Sequence, residues 1–61
     1  MAKTFTDKQG SVVEFDKYEA SVSVNEDIVT GRASGWCVTV GDFRYEVEEQ
    51  VYNAVKNYIE S

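Results

Sequence analysis

The pattern of apolar and polar positions is clearest around Gly41 and Asp42, where two alternating segments meet. Apolar residues take every second position on both sides of this dipeptide, as expected for strands with one buried face. A two-residue loop with glycine first is typical of a type II′ hairpin turn. That turn places six apolar side chains on one face, in three cross-strand pairs: Val40 with Phe43, Val38 with Tyr45, and Trp36 with Val47.

The second of these segments leads directly into a helical pattern. Apolar residues recur at intervals of three and four, which predicts an amphipathic helix. Glu48 and Glu49 at its start complement the positive end of the helix dipole. No Ser, Thr, Asp or Asn occupies the expected cap, so the helix should depend on docking against the sheet. The predicted apolar stripe consists of Val51, Ala54, Val55, Tyr58 and Ile59.

The N-terminal segment predicts a first hairpin. Asp7 and Gly10 suit the first and fourth positions of a type I turn in which the glycine forms a left-handed bulge. In that register Phe5 pairs with Val13, and both share one side of the hairpin with Phe15. A β-branched residue in place of Gly10 would strain the turn, so the register depends on this glycine.

A third strand is predicted by the clean alternation of residues 18–25. Apolar residues take the even-numbered positions and polar residues the odd-numbered ones, which is typical of a strand with one solvated face. Two arrangements of the preceding residues fit the sequence. Asp16 and Lys17 form a tight turn that pairs Phe15 with Tyr18, or one bent strand continues through all four residues.

Residues 25–33 carry no regular pattern and are predicted to form the longest loop, with a short helical turn or a β-bridge as alternatives. Ile28 and Val29 interrupt this polar segment. Together the elements predict an α+β fold: a mostly antiparallel sheet of four to five strands, a meander of hairpins, with one C-terminal helix on one face. The whole chain, 1–61, is predicted to be a single domain.

Apolar side chains that these patterns direct inward define the predicted core. Hydrophobic residues make up 43% of the chain, which separates it from disordered sequences of high charge. Among the aromatic residues only Tyr52 lies outside this set, beside the helix stripe. The predicted core contains Phe5, Val13, Phe15, Tyr18, Val22, Val24, Trp36, Val38, Val40, Phe43, Tyr45, Val47, Val51, Val55, Tyr58 and Ile59.

The charge balance argues against nucleic-acid and membrane partners. The chain has 11 acidic and 6 basic residues, a formal net charge of −5. Affinity for nucleic acid depends largely on the neutralisation of phosphates by Lys and Arg. The basic residues here are scattered and form no stripe, so neither nucleic acid nor an anionic membrane surface is an expected partner.

Residue types that carry catalysis are scarce. The chain has no histidine, so the thiol of Cys37 would lack its usual base. Because Cys37 alternates with Trp36 and Val38, we expect a small sheet residue on the opposite face. Carboxylate pairs such as Glu46 and Glu48 would need a substrate cleft, for which so short a chain leaves little volume. Zinc, EF-hand and phosphate-loop spacings do not occur, so no enzyme activity, cofactor or metal is predicted.

The sequence favours a protein-binding role in the cytoplasm. One cysteine forms no internal disulfide, and the first residues show no apolar signal segment. A small fold without catalytic groups suits protein–protein binding, as a monomer or as a homodimer through an unpaired edge strand. The alternative is a phage-like acidic decoy that occupies the basic groove of another protein. Candidate contact residues are Tyr52, Glu14, Glu19, Arg44 and Glu46.

Overall fold

Five antiparallel strands and one C-terminal helix form the fold of residues 3–61, the part of the chain that the computed structural model describes. Two strands pair in one sheet, and the other three form a second sheet in the order β3-β4-β5. The predicted α+β fold is confirmed, with its strands divided between two sheets. The elements are β1 (Lys3–Thr6), β2 (Val12–Phe15), β3 (Ala20–Glu26), β4 (Ala33–Val40), β5 (Phe43–Val47) and α1 (Glu49–Glu60).

The turn between β4 and β5 has the predicted geometry. Gly41 has a φ of 59°, and in the described chain only glycines have positive φ values. Asp42 therefore keeps a negative φ, which distinguishes a type II′ turn from a type I′ turn. The three predicted cross-strand pairs are all confirmed, because Val40 faces Phe43 and the register continues without a shift to Val47.

The hairpin of β1 and β2 also forms as predicted. The backbone N–H of Asp7 donates to Ser11 O at 3.0 Å, and Gly10 N–H donates to Asp7 O at 3.1 Å. Gly10 adopts the left-handed conformation, with a φ of 88°. The Asp7 carboxylate accepts two further backbone hydrogen bonds at 2.9 Å each, from within the turn. This turn sets the predicted pairing of Phe5 with Val13.

The connection between β2 and β3 differs from both predicted arrangements. The N–H of Glu19 donates to Asp16 O at 3.0 Å, and the Asp16 carboxylate accepts the N–H of Tyr18 at 3.0 Å. The result is a four-residue turn that carries the chain from one sheet to the other, so Phe15 and Tyr18 do not pair. The prediction that Tyr18 belongs to the core is wrong, because its side chain is 88% exposed.

The segment 25–33 is more regular than predicted. β3 extends to Glu26, which pairs with Ala33 after a register shift between Asn25 and Glu26. The remaining turn is closed by two hydrogen bonds, Asp27 N–H to Arg32 O at 2.8 Å and Gly31 N–H to Asp27 O at 2.7 Å. The predicted loop is therefore a hairpin turn at the end of two paired strands.

The core lies where the first hairpin, the three-stranded sheet and the helix meet. Val38 and Val47 are completely buried. Edge-to-face ring contacts join the elements, with centroid distances of 5.5 Å from Phe5 to Phe15 and 5.8 Å from Phe5 to Tyr45. Two core predictions on this sheet differ from the structure. Phe43, at the turn end of the edge strand β5, is 68% exposed, and Val24 is half-buried but lies outside the core cluster.

The helix begins without a side-chain cap, as predicted. Glu48 is the cap residue, and its backbone carbonyl accepts the N–H of Tyr52 at 3.0 Å. Val55 is buried against the sheet, whereas Ala54 is exposed at the margin of the predicted stripe. Within residues 3–61, no helix is long and apolar enough to span a membrane.

Candidate functional site

The solvent-facing side of the three-stranded sheet contains a bridge across its central strand. Arg44 on β5 donates from Nη2 to Asn25 Oδ1 on β3 at 3.1 Å. The Asn25 amide nitrogen lies 3.6 Å from the Cys37 sulfur on β4. Cys37 is consequently only 4% exposed, although the alternation correctly places it opposite Trp36 and Val38. The polar face of the sheet is therefore not open to solvent at this position, because neighbouring side chains cover Cys37.

The first hairpin contacts the edge of the same sheet. Lys8 N–H donates to Glu46 O at 2.9 Å, and the Lys8 ammonium lies 3.4 Å from the Glu46 carboxylate. Arg44 and Glu46 thus both have partners within the chain. A cleft of about 370 Å³ lies between the hairpin turn and this edge strand, with the Arg44 and Glu46 side chains in its lining.

The other candidate contact residues lie elsewhere. Glu14 is on β2, opposite Thr4 in the two-stranded sheet. Glu19 belongs to the turn before β3, where its carbonyl accepts the N–H of Gly41 at 3.2 Å. Tyr52 is half-buried on the helix and packs against the core. The structure therefore distributes the predicted contact residues over both sheets and the helix, and brings together only Arg44 and Glu46.

Two fully exposed aliphatic side chains mark the tip of the β3–β4 hairpin. Ile28 is 100% exposed and Val29 is 91% exposed. The turn that carries them is held by its own hydrogen bonds, since the Asp27 carboxylate accepts the N–H of Val29 at 2.8 Å. Thr30 Oγ1 also accepts the N–H of Arg32, at 3.3 Å. The sequence shows these two residues as an apolar interruption, but it does not show that they protrude on an ordered turn.

A groove of about 400 Å³ lies between parts of β1 and α1, which also contact each other. Strand β1 forms one wall and the helix forms the other, with the rings of Phe5 and Phe15 in the lining. At one end the Lys3 ammonium lies 5.1 Å from the centroid of the Tyr58 ring. We refer to this feature as the β1–α1 groove. Its lining consists of Lys3, Thr4, Phe5, Thr6, Phe15, Gln50, Val51, Ala54, Val55 and Tyr58.

The described residues bring few reactive groups together. In the part of the chain that the structure describes, no three Cys, Asp or Glu side chains are grouped so that they could hold a metal ion. What the surface offers instead is the apolar hairpin tip and the β1–α1 groove. Comparisons of this chain with protein-family models, with curated proteins and with solved structures find no match.

Proposed function

We propose that this chain is a non-enzymatic cytoplasmic domain that binds another protein through the tip of its β3–β4 hairpin. The observation that supports this proposal is the full exposure of Ile28 and Val29 on a turn closed by hydrogen bonds. Single exposed apolar residues are common on protein surfaces. Two adjacent ones on a protruding, ordered turn resemble a preformed anchor, because little further ordering is needed on binding.

Burial of these two side chains contributes a substantial free energy to binding. Complete burial of both aliphatic side chains contributes roughly 3–6 kcal/mol, at about 1.5–3 kcal/mol each. Association costs several kcal/mol in lost translational and rotational freedom, so the tip needs a surrounding polar rim to give a stable complex. Glu26, Asp27 and Arg32 flank the tip and are exposed. They supply charges of both signs for such a rim.

A second candidate function is the acidic decoy. Every acidic residue except Asp7 is exposed, and among residues 3–61 only Glu46 forms an ion pair, with Lys8. Most of the negative charge is therefore available to a basic partner. Contacts between exposed charges weaken steeply as salt screens them, whereas burial of aliphatic side chains does not. Salt dependence separates the two functions.

The test is a pull-down from bacterial lysate with the purified chain at about 50 mM and about 500 mM salt. The comparison uses a double variant, Ile28→Ser with Val29→Ser, and the control Val12→Ser, which removes another exposed aliphatic side chain. Retention of the same protein by the unmodified chain and by the control at both salt levels, with loss from the double variant, supports the hairpin tip.

Two other outcomes oppose this proposal. Equal retention by the double variant and the control would refute a role for the tip. Loss of the partner from all three proteins at high salt would favour the acidic decoy.

Light scattering after size exclusion detects a second copy as the partner, since a homodimer would double the measured mass and the double variant would return it to that of a monomer.

A further inference from the structure

Among the strands of residues 3–61, none pairs with the outer edge of β1. Asp7 and Ser11 form a hydrogen-bonded pair at the hairpin turn, and hydrogen-bonded pairs alternate along an antiparallel ladder. Phe5 with Val13 is therefore the next such pair, and Thr4 and Thr6 direct their N–H and C=O groups away from β2. Within residues 3–61, β1 pairs only with β2, and no other strand reaches this edge between Lys3 and Thr6.

The β1–α1 groove lies along this free edge. All four residues of β1, Thr4 and Thr6 among them, line it. Side chains of consecutive strand residues point to opposite faces, so a groove lined by all four runs along the edge of the strand rather than over one face. The opposite wall is formed by Val51 and Ala54 of α1, and Ala54 is exposed because nothing covers its small side chain there. The groove thus combines unpaired backbone donors and acceptors with an apolar lining. An extended peptide that adds to a sheet edge uses both of these features.

The groove accommodates about four residues of extended chain. Lys3 lies over Tyr58 at one end, and Lys8 bonds to Glu46, just before the helix, near the other. β1 therefore runs antiparallel to α1. The helix from Gln50 to Tyr58 rises about 12 Å at about 1.5 Å per residue. Four extended residues span about 13 Å at about 3.3 Å each, which matches the four residues of β1.

We propose that the β1–α1 groove binds an extended peptide segment of a partner protein, which pairs with the free edge of β1. Two aliphatic side chains at alternate positions of the segment enter the apolar lining. Lys3 is the one charged residue in that lining among residues 3–61, so an acidic side chain suits the end near Tyr58. If the segment runs antiparallel to β1, that acidic residue is at its C-terminal side.

The helix side of the β1–α1 groove favours a peptide over a second copy of this chain as the occupant. A second copy would bring its own β1 edge together with the helix that lies beside it. The space next to β1 is already bounded by Val51 and Ala54 of α1. A single extended strand needs less of that space than a strand with a helix attached, so we expect a peptide rather than a second copy. This site goes beyond the hairpin-tip function, because the two surfaces share no residue.

The probe is the acetylated and amidated hexapeptide Ser-Val-Thr-Val-Ser-Glu, titrated to about 2 mM, a range that detects millimolar dissociation constants. Amide chemical shifts of the labelled chain are followed by NMR. Saturable shifts at Thr4, Thr6 and Ala54 are expected. The same peptide with both valines replaced by serine, and one with N-methylated backbone amides, should each bind at least about tenfold more weakly.

A matched pair of variants localises the binding. Ala54→Tyr places a large side chain in the groove, whereas Asn53→Tyr places the same side chain at an exposed helix position outside it. We expect at least about a tenfold loss of peptide affinity for the first and less than about a twofold change for the second. Unchanged amide shifts of β4 verify that both variants fold, and the N-methylated peptide tests the edge without altering the protein.

Several results would overturn the groove assignment. No saturable shifts, or shifts confined to the hairpin tip, would show that the peptide does not bind in the groove. Equal affinity for the N-methylated and the unmodified peptide would show that the edge of β1 is not used. Shifts at β1 that depend on protein concentration without peptide would identify a second copy of the chain as the occupant. The double variant at Ile28 and Val29 should bind the hexapeptide like the unmodified chain. Failure of the groove and failure of the hairpin tip are therefore distinguishable.

Discussion

Substitution of Phe5 by leucine tests how the first hairpin is attached to the rest of the molecule. Phe5 is buried and makes edge-to-face contacts with Phe15 at 5.5 Å and with Tyr45 at 5.8 Å. The second contact joins β1 to the three-stranded sheet. Phe5→Leu removes both ring contacts but keeps a large aliphatic side chain, so it isolates the aromatic contribution from the cost of a large cavity.

The expected loss of stability follows from these contacts. Each aromatic pair contributes about 0.5–1.5 kcal/mol beyond the burial of its area, so two pairs contribute roughly 1–3 kcal/mol. Domains have about 0.05–0.15 kcal/mol of stability per residue, which gives roughly 3–9 kcal/mol for this chain. At the middle of these ranges, Phe5→Leu should remove about 2 of about 6 kcal/mol, roughly a third of the free energy of unfolding, and leave a folded protein.

Urea denaturation followed by Trp36 fluorescence measures the change. The control is Phe43→Leu, the same substitution at an exposed position on β5, which should change the free energy of unfolding by less than about 0.5 kcal/mol. Equal effects of the two substitutions would refute the argument. So would a loss below about 0.5 kcal/mol for Phe5→Leu, because the ring contacts would then contribute nothing measurable.

Two further predictions concern the bridge over Cys37 and the first turn. Arg44→Ala removes the hydrogen bond to Asn25 above Cys37, so modification of the Cys37 thiol by Ellman's reagent should accelerate about tenfold. The control Arg32→Ala should leave the modification rate unchanged. Equal rates in the two variants would contradict the bridge. Asp7→Ala removes the two hydrogen bonds that the Asp7 carboxylate accepts from the backbone, and it should lower the free energy of unfolding by about 1–2 kcal/mol, measured by urea titration. Asp7→Asn keeps an acceptor oxygen and should lose much less stability. An equal loss in the two variants would contradict the role of these hydrogen bonds.

Local turn chemistry explains why much of the fold is predictable from the sequence. Gly41 and Asp42 determine a two-residue turn, and a turn of known length sets the register of both strands. The same holds for Asp7 and Gly10 in the first hairpin. These interactions join residues close in sequence, and alternation on both sides supports the same register. The helix is also predictable, because its apolar period continues over nine residues, from Val51 to Ile59.

Alternation predicts the face of a strand, but it does not predict whether that face is covered. Tyr18 and Phe43 occupy positions of the apolar period, yet both lie beyond the region that other elements cover. Cys37 shows the reverse case, since it lies on the solvated face and is buried by neighbouring strands. Exposure depends on contacts between residues far apart in the chain, and the sequence pattern does not contain them.

The two candidate surfaces are harder to predict from the sequence than the fold. Ile28 and Val29 are visible as an apolar interruption, but their protrusion depends on the turn hydrogen bonds of Asp27. The β1–α1 groove depends on the position of β1 relative to a helix more than forty residues later in the chain. No local pattern in either segment indicates that they lie side by side. The predicted contact residues came from local patterns instead: Glu14, Glu19, Arg44 and Glu46 from the polar face of the strands, and Tyr52 from its position beside the helix stripe.

The single backbone hydrogen bond from Lys8 to Glu46 has a consequence for how the molecule unfolds. Among the described residues it is the one main-chain bond between the first hairpin and the three-stranded sheet. Besides this bond, the ion pair between the Lys8 and Glu46 side chains and the packing of Phe5 on Tyr45 hold the hairpin against that sheet. We therefore expect β1 and β2 to detach as a unit while β3, β4 and β5 remain paired. Amide protons of the hairpin would then exchange with deuterium sooner than those of Val38. The boundary between fast and slow exchange would coincide with the boundary between the sheets.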